Sequence, residues 1–344
     1  EGEEKKSFAC RHFMEAARVL KLAESRRLTG VSFHSSANFV QGVAKSTGEV
    51  SEPIRARLLN LCSVVAYLLG DAEGAVSCLR ASLEAVPLIK EGETLETETR
   101  DGLDPAGLID SAIKLGALLC DMDERKEAAE VLASALTAAE RASLMPSTAK
   151  DVKGDSEAGE GYIYPPAGED LRRRIPRRGQ TGFLGCQTVA MLHLAELAIH
   201  RMDLDEAQSM LHKAGRLVAR VSREGLEDAL VDSQVWARFT SQLETNVTSL
   251  LGVVLFRKSP DEPDGALGLL KRACKQAPDS LYLHLSYGEV LSQAGDLVGS
   301  LACFHQAHDT DPTHPLPFVN AARTYQQLNQ LTTARLHLDK ALSL

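Results

Sequence analysis

Residues 281–314 read LYLHLSYGEVLSQAGDLVGSLACFHQAHDTDPTH, and the spacing of small residues in this stretch decides the fold. Gly288, Ser300 and Ala307 follow one another at 12 and 7 residues, with Phe304 between the last two. The same places 34 residues further on hold Ala322, Ala334 and Ala341, with Leu338 standing for Phe304. One step back, from residue 247, they hold Val254, Ala266, Ala273 and Leu270. Two antiparallel helices approach closely only where side chains are small, and a larger residue beside them fills the gap. Gly295-Asp296 lies between the two halves, where Gly permits the left-handed conformation that ends a helix. Asp311-Pro312 closes the unit, because Pro lacks an amide hydrogen and restricts its predecessor. The stretch predicts a helical hairpin that recurs with a period of 34 residues.

Placing a small residue at position 20 of each unit extends the pattern upstream, with Ala75, Ala128 and Ala207 in units starting at 56, 109 and 188. Position 27 then reads Ser82, Ala135, Ala214, Ala273, Ala307 and Ala341, and position 24 reads Leu79, Leu132, Leu211, Leu270, Phe304 and Leu338. Position 8 is looser, with Ser63, Gly116, Ala195, Val254, Gly288 and Ala322, and Pro recurs at position 32 as Pro87, Pro278 and Pro312. This register resembles the tetratricopeptide repeat family. The resemblance implies an all-α right-handed superhelix, a solenoid of helix-turn-helix repeats whose stacked hairpins bury a continuous core and line a concave face. The unit starts at 56, 109, 188, 247, 281 and 315 are unevenly spaced, so irregular insertions separate the earlier units while the last three form a regular stack.

Five segments follow. Residues 1–52 carry an N-terminal helical pattern, with Ala16, Leu20 and Ala23 at the spacing of a partial repeat, and a Ser/Gly-rich connection. Residues 53–144 hold two divergent hairpins with an acidic loop at 90–107. Residues 145–181, rich in Pro, Gly and charge, form a flexible insertion. Residues 182–246 hold another divergent hairpin, with 226–246 read as an extension of the following helix, and 247–344 hold the three regular units. The first residues lack an initiator Met and the last unit stops short of its 34 positions, so the expectation is a piece of a longer array. Helix B of that last unit carries Leu336, Leu338, Leu342 and Leu344, more apolar surface than its own helix A covers, and is expected to associate through that end.

Composition narrows the function. A net charge of −9 gives the chain no global attraction for nucleic acid or anionic membrane. The longest apolar runs, such as 61–69 and 250–256, are too short for a membrane span, which points to a soluble protein. The seven cysteines are scattered without a C-x-x-C pair and behave as small hydrophobes, which points to a reducing, cytoplasmic compartment, with a ciliary or nuclear location also open. No phosphate loop, zinc-protease, nucleophile-elbow or kinase signature occurs, so the reading is no enzyme, no cofactor and no metal. His305/His308 and His193/His200 lie at helical spacing without further ligands, and read as solvated or half-buried histidines.

The sharpest charge feature is Arg172, Arg173, Arg174, Arg177 and Arg178, preceded by an acidic stretch. It reads as a solvated loop, with contact to an acidic partner or nucleic acid as its alternative use. Chaperone-binding members of the resembled family carry a cation and an Asn at positions 5 and 9 of consecutive A helices. Here those positions hold Leu251/Leu255, Leu285/Glu289 and Val319/Arg323, which excludes the carboxylate clamp. The groove-lining candidates are Tyr282, Glu289, Asn320, Arg323 and Gln327, because amides pair with both polar atoms of a peptide backbone. The sequence therefore points to a non-enzymatic scaffold, a subunit or adaptor binding protein or peptide partners. The alternatives are nucleic-acid association through the Arg-rich loop and, behind it, an enzyme with a site drawn from separate helices.

Overall fold

The computed structural model describes residues 71–85, 105–144, 161–162, 174–175, 179–227 and 233–344, together with helical residues between 56 and 67. The chain divides into two compact units, Glu1–His193 and Leu194–Leu344. Helices α1 (Ala72–Ala85), α2 (Pro105–Asp121), α3 (Arg125–Leu144), α4 (Gly179–His200), α5 (Leu204–Glu227), α6 (Ser233–Lys258), α7 (Asp264–Gln276), α8 (Leu281–Gln293), α9 (Leu297–Thr310), α10 (Leu316–Gln327) and α11 (Leu331–Ser343) follow in order. Strands β1 (Gly161–Tyr162) and β2 (Arg174–Ile175) form a two-residue antiparallel ladder with Tyr162 opposite Arg174. That ladder falls inside the 145–181 insertion, which the sequence offered as a loop, and β1 lies against α2.

In the first unit α2 packs on α3, and α1 packs on α2. In the second, α6 pairs with α7, α8 with α9 and α10 with α11, while α7 meets α8 and α9 meets α10. Helix α5 also packs along α6. The extra residues between the units at 188 and 247 are absorbed largely as helix: α6 runs unbroken from Ser233 to Lys258, while Glu227 ends α5.

Burial follows the repeat register. Every residue at positions 8, 20, 24 and 27 of the six units is buried except Leu338 and Ala341 of the last. The close approaches occur where the register places small residues. A Cβ added at Gly288 would sit 2.6 Å from Phe304, and one at Gly116 would collide with Leu132. Where Val254 occupies position 8, the contact shifts to Gly252, whose added Cβ would lie 2.9 Å from Leu270 and 3.2 Å from the Ala266 carbonyl. Serines in the register satisfy their hydroxyls on backbone: Ser82 Oγ donates to the Ala56 carbonyl at 2.9 Å, and Ser300 Oγ to that of Leu297 at 3.0 Å.

The turn inside each hairpin is equally regular. Position 15 is left-handed at Asp123 (φ 64°), Met202 (φ 62°), Gly295 (φ 92°) and Asn329 (φ 59°). The next amide reaches back five residues, as in Asp71 to Ala66, Glu124 to Leu119, Asp203 to Ala198, Asp296 to Leu291 and Gln330 to Tyr325, all at 2.8–2.9 Å. This bond satisfies a carbonyl that the helix end leaves open. Asp71, Asp203 and Asp296 then cap the following helix, accepting from the amides of Gly74, Glu206 and Gly299 at 2.8, 3.1 and 2.9 Å. The α6–α7 turn is built differently, around Ser259–Pro263.

One expectation needs correction. Phe183–His200 is long and apolar enough to cross a membrane by length and composition. It escaped notice because Gln187, Thr188 and His193 interrupt its apolar run. Within the protein 83 % of that window is buried, so its apolar surface belongs to the protein interior.

Candidate functional site

Helices α6, α8 and α10 are the A helices of the regular units, and α8 touches both of the others. Their shared face carries the groove candidates. Tyr282 is half-buried, its ring edge-on to His314 with centroids 6.0 Å apart and its hydroxyl 3.4 Å from His314 Nε2. His314 Nδ1 accepts from the Leu316 amide at 3.3 Å, which assigns the proton of a neutral ring to Nε2 and makes the Tyr282 oxygen its acceptor. Tyr282 is thus anchored on the turn between α9 and α10.

Glu289 is exposed and accepts from Gln293 Nε2 at 3.3 Å. Gln327 Oε1 accepts from Ser292 Oγ at 3.0 Å, linking α10 to α8 while the Gln327 amino group stays in solvent. Asn320 is half-buried and Arg323 exposed, and among the described residues neither side chain has a hydrogen-bond or ion-pair partner. Leu251, Leu255 and Val319 are half-exposed between these polar groups, and Leu285 is buried. The face thus offers apolar contact flanked by an amide, a guanidinium and a carboxylate with spare hydrogen-bonding capacity. Of the Arg-rich candidates, Arg174 stands in β2, while Arg172, Arg173, Arg177 and Arg178 lie outside the described residues, as does the acidic loop from 90 to 104.

Sequence reasoning missed three arrangements. Thr324 Oγ1 donates to the Asn320 carbonyl at 3.2 Å and lies 3.4 Å from both Ser292 Oγ and Ser300 Oγ, tying α8, α9 and α10 together. Lys258 Nζ meets Asp205 Oδ1 and Gln208 Oε1 at 2.6 Å each, and the Asp205 carboxyl is held below its usual range by this bond and the Lys258 charge. Phe318 is packed by His308 and His337, and Lys340 Nζ stands 4.4 Å from its ring centre. Burial, the His305 charge and Lys340 depress the His337 pKa, in that order. The i, i+3 spacing of His305 and His308 was visible in the sequence, but their partner Phe318 belongs to the next hairpin.

His193 is buried, and His200 and His305 are exposed. Among the described residues no three His, Cys, Asp or Glu side chains converge on a metal-sized site. Burial pushes the Cys62, Cys78 and Cys274 thiols up to about 12 and that of Cys303 to about 11, so they carry little thiolate and behave as core.

The geometry can be compared with known proteins at this point. The apo form of RapI superposes with a TM-score of 0.58 at 11 % identity, covering 97 % of this chain and 96 % of that one. The fold is that of the tetratricopeptide repeat. Two further matches are the repeat protein TTC0263 of Thermus thermophilus (TM-score 0.42, 19 % identity, 68 % of this chain and 90 % of that one) and PilF of Pseudomonas aeruginosa (0.42, 12 %, 83 % and 90 %). No family model matches the sequence, and no curated protein does. The all-α repeat architecture expected from the spacing of small residues is the architecture found.

Proposed function

We propose that the chain is a non-enzymatic scaffold that receives an extended segment of a protein partner on the A-helix face of its second unit. The observation that carries this reading is the pair Asn320 and Arg323. Their side chains stand one turn apart on α10 with no partner among the described residues, beside the half-exposed Val319. An amide offers a donor and an acceptor to a peptide backbone, and the guanidinium suits a carboxylate in a bidentate bond. The partner segment is accordingly extended, with apolar residues for Leu251, Leu255 and Val319 and an acidic residue for Arg323. Repeat stacks expose such faces, and this use agrees with the fold. Free, buried cysteines support a reducing intracellular location.

The test is affinity capture from cell lysate with the whole chain and with the N320A/R323A variant, followed by peptide mapping of what is retained. Partners lost with the variant, while its circular dichroism and melting temperature are unchanged, support the scaffold reading. Equal capture by both proteins would sink the assignment of this face. Salt-sensitive binding of RNA or DNA in the same assay would favour the Arg-rich segment instead.

A further inference from the structure

Helix α11 leaves an apolar stripe in water. Leu331 is 61 %, Leu338 44 % and Leu342 86 % exposed, although Leu338 occupies the position that is buried in every other unit. With Arg335 these residues fall at i, i+4, i+7 and i+11, which is a single face of a helix. The order of the stripe is symmetric under reversal of direction. Laid antiparallel on itself about a two-fold axis, it sets Leu331 against Leu342 of the second copy and Leu338 against the aliphatic stem of Arg335.

The charges fit the same axis. Arg335 and Asp339 are 85 % and 62 % exposed and only loosely joined within the helix, at 3.8 Å. In the antiparallel arrangement Arg335 stands opposite position 338 of the other copy, within reach of the neighbouring Asp339, and the reciprocal pair forms by symmetry. The remaining cation of α11, Lys340, is folded over Phe318 away from the stripe. No like charges face one another across the seam.

We propose that α11 is a self-complementary docking surface for a second copy of this chain, joined as an antiparallel two-fold helix pair. A helix of 13 residues is about 20 Å long, so the contact lies at the small end of specific interfaces and the dimer is weak, with a Kd of about micromolar order. This surface is separate from the A-helix face proposed above, and the two readings fail independently.

Sedimentation equilibrium of the whole chain across concentration tests it. The expected result is a monomer–dimer equilibrium that L342E abolishes with unchanged circular dichroism. R335D and D339R are each expected to weaken self-association about tenfold by setting like charges across the seam. A 1:1 mixture of these two variants should restore the dimer, because each then supplies the charges the other lacks. That complementation is specific to pairing between copies. A wild-type chain that stays monomeric to about 100 μM overturns the proposal. So does a dimer that survives L342E, or variants whose mixture associates no better than either alone.

Discussion

The A helices of the two units share one register and present different surfaces. In α2, the positions that would line a groove hold Asp110, Ile113 and Ala117, and all are buried, as is Lys114 beside them. Asp110 and Lys114 are each 2 % exposed and meet at 2.9 Å as an i, i+4 ion pair. In α8 and α10 the same positions leave Glu289 and Arg323 in solvent and Tyr282 and Val319 half-covered. The hairpin core depends on positions 8, 20, 24 and 27, which agree in both units. The fate of the other face of helix A depends on what the rest of the chain places across it, and against α2 that includes β1. A repeat register therefore reports how a hairpin holds together and is silent on whether its outer wall is available to a partner.

The largest expected effect that tests this contrast is Lys114→Ala. It strands the Asp110 carboxylate in the interior and is expected to cost about 3–5 kcal/mol in a denaturant melt, whereas replacing both partners, as in D110L/K114M, should recover most of the loss. A cost below about 1 kcal/mol for the single change would show that water reaches the pair and that α2 is more open than its burial indicates. Next in size is Ala307→Leu, which inserts three heavy atoms at a site with no exposure and should cost about 1–3 kcal/mol by overpacking. A neutral result would mean that α9 and its neighbours separate easily.

Gly295→Ala tests the turn alone. An added Cβ meets nothing within 4 Å, so the expected loss of about 1 kcal/mol comes only from holding Ala at φ 92°. Smallest is Arg323→Ala, expected to change the melt by less than about 0.5 kcal/mol because the side chain is exposed and unpaired within the described residues. If it proves as costly as Lys114→Ala, the two faces are not different in kind.

What could be read in the sequence divides along the same line. The spacing of Ala266, Leu270 and Ala273 was legible because each packs within its own hairpin, and a period of 34 residues repeats it. Gly295 and Asp296 were legible because turn chemistry is local. Gly252 was not, since Val254 held the expected place and only the neighbouring helix reveals which residue makes the close approach. The burial of Lys114 was illegible for a stronger reason. An Asp and a Lys at i, i+4 usually decorate a solvated helix face, and only tertiary placement turns them into an interior pair. Among the groove candidates, the sequence named Asn320 and Arg323, but their lack of partners is a property of three helices at once.

The left-handed residue between the helices has a kinetic consequence. Residues 122–124, 201–203, 294–296 and 328–330 are all that separate the two helices of their hairpins, while the chain accommodates its extra length between hairpins. Closing so short a connection costs little entropy, and most contacts join residues near one another in sequence. Chains of that kind have low contact order and fold quickly, with structure able to start in any hairpin and spread to its neighbours. Hydrogen exchange should then show opening in steps, with amides of α11 exchanging first and those of α6–α9 last, since α11 is covered on one side only.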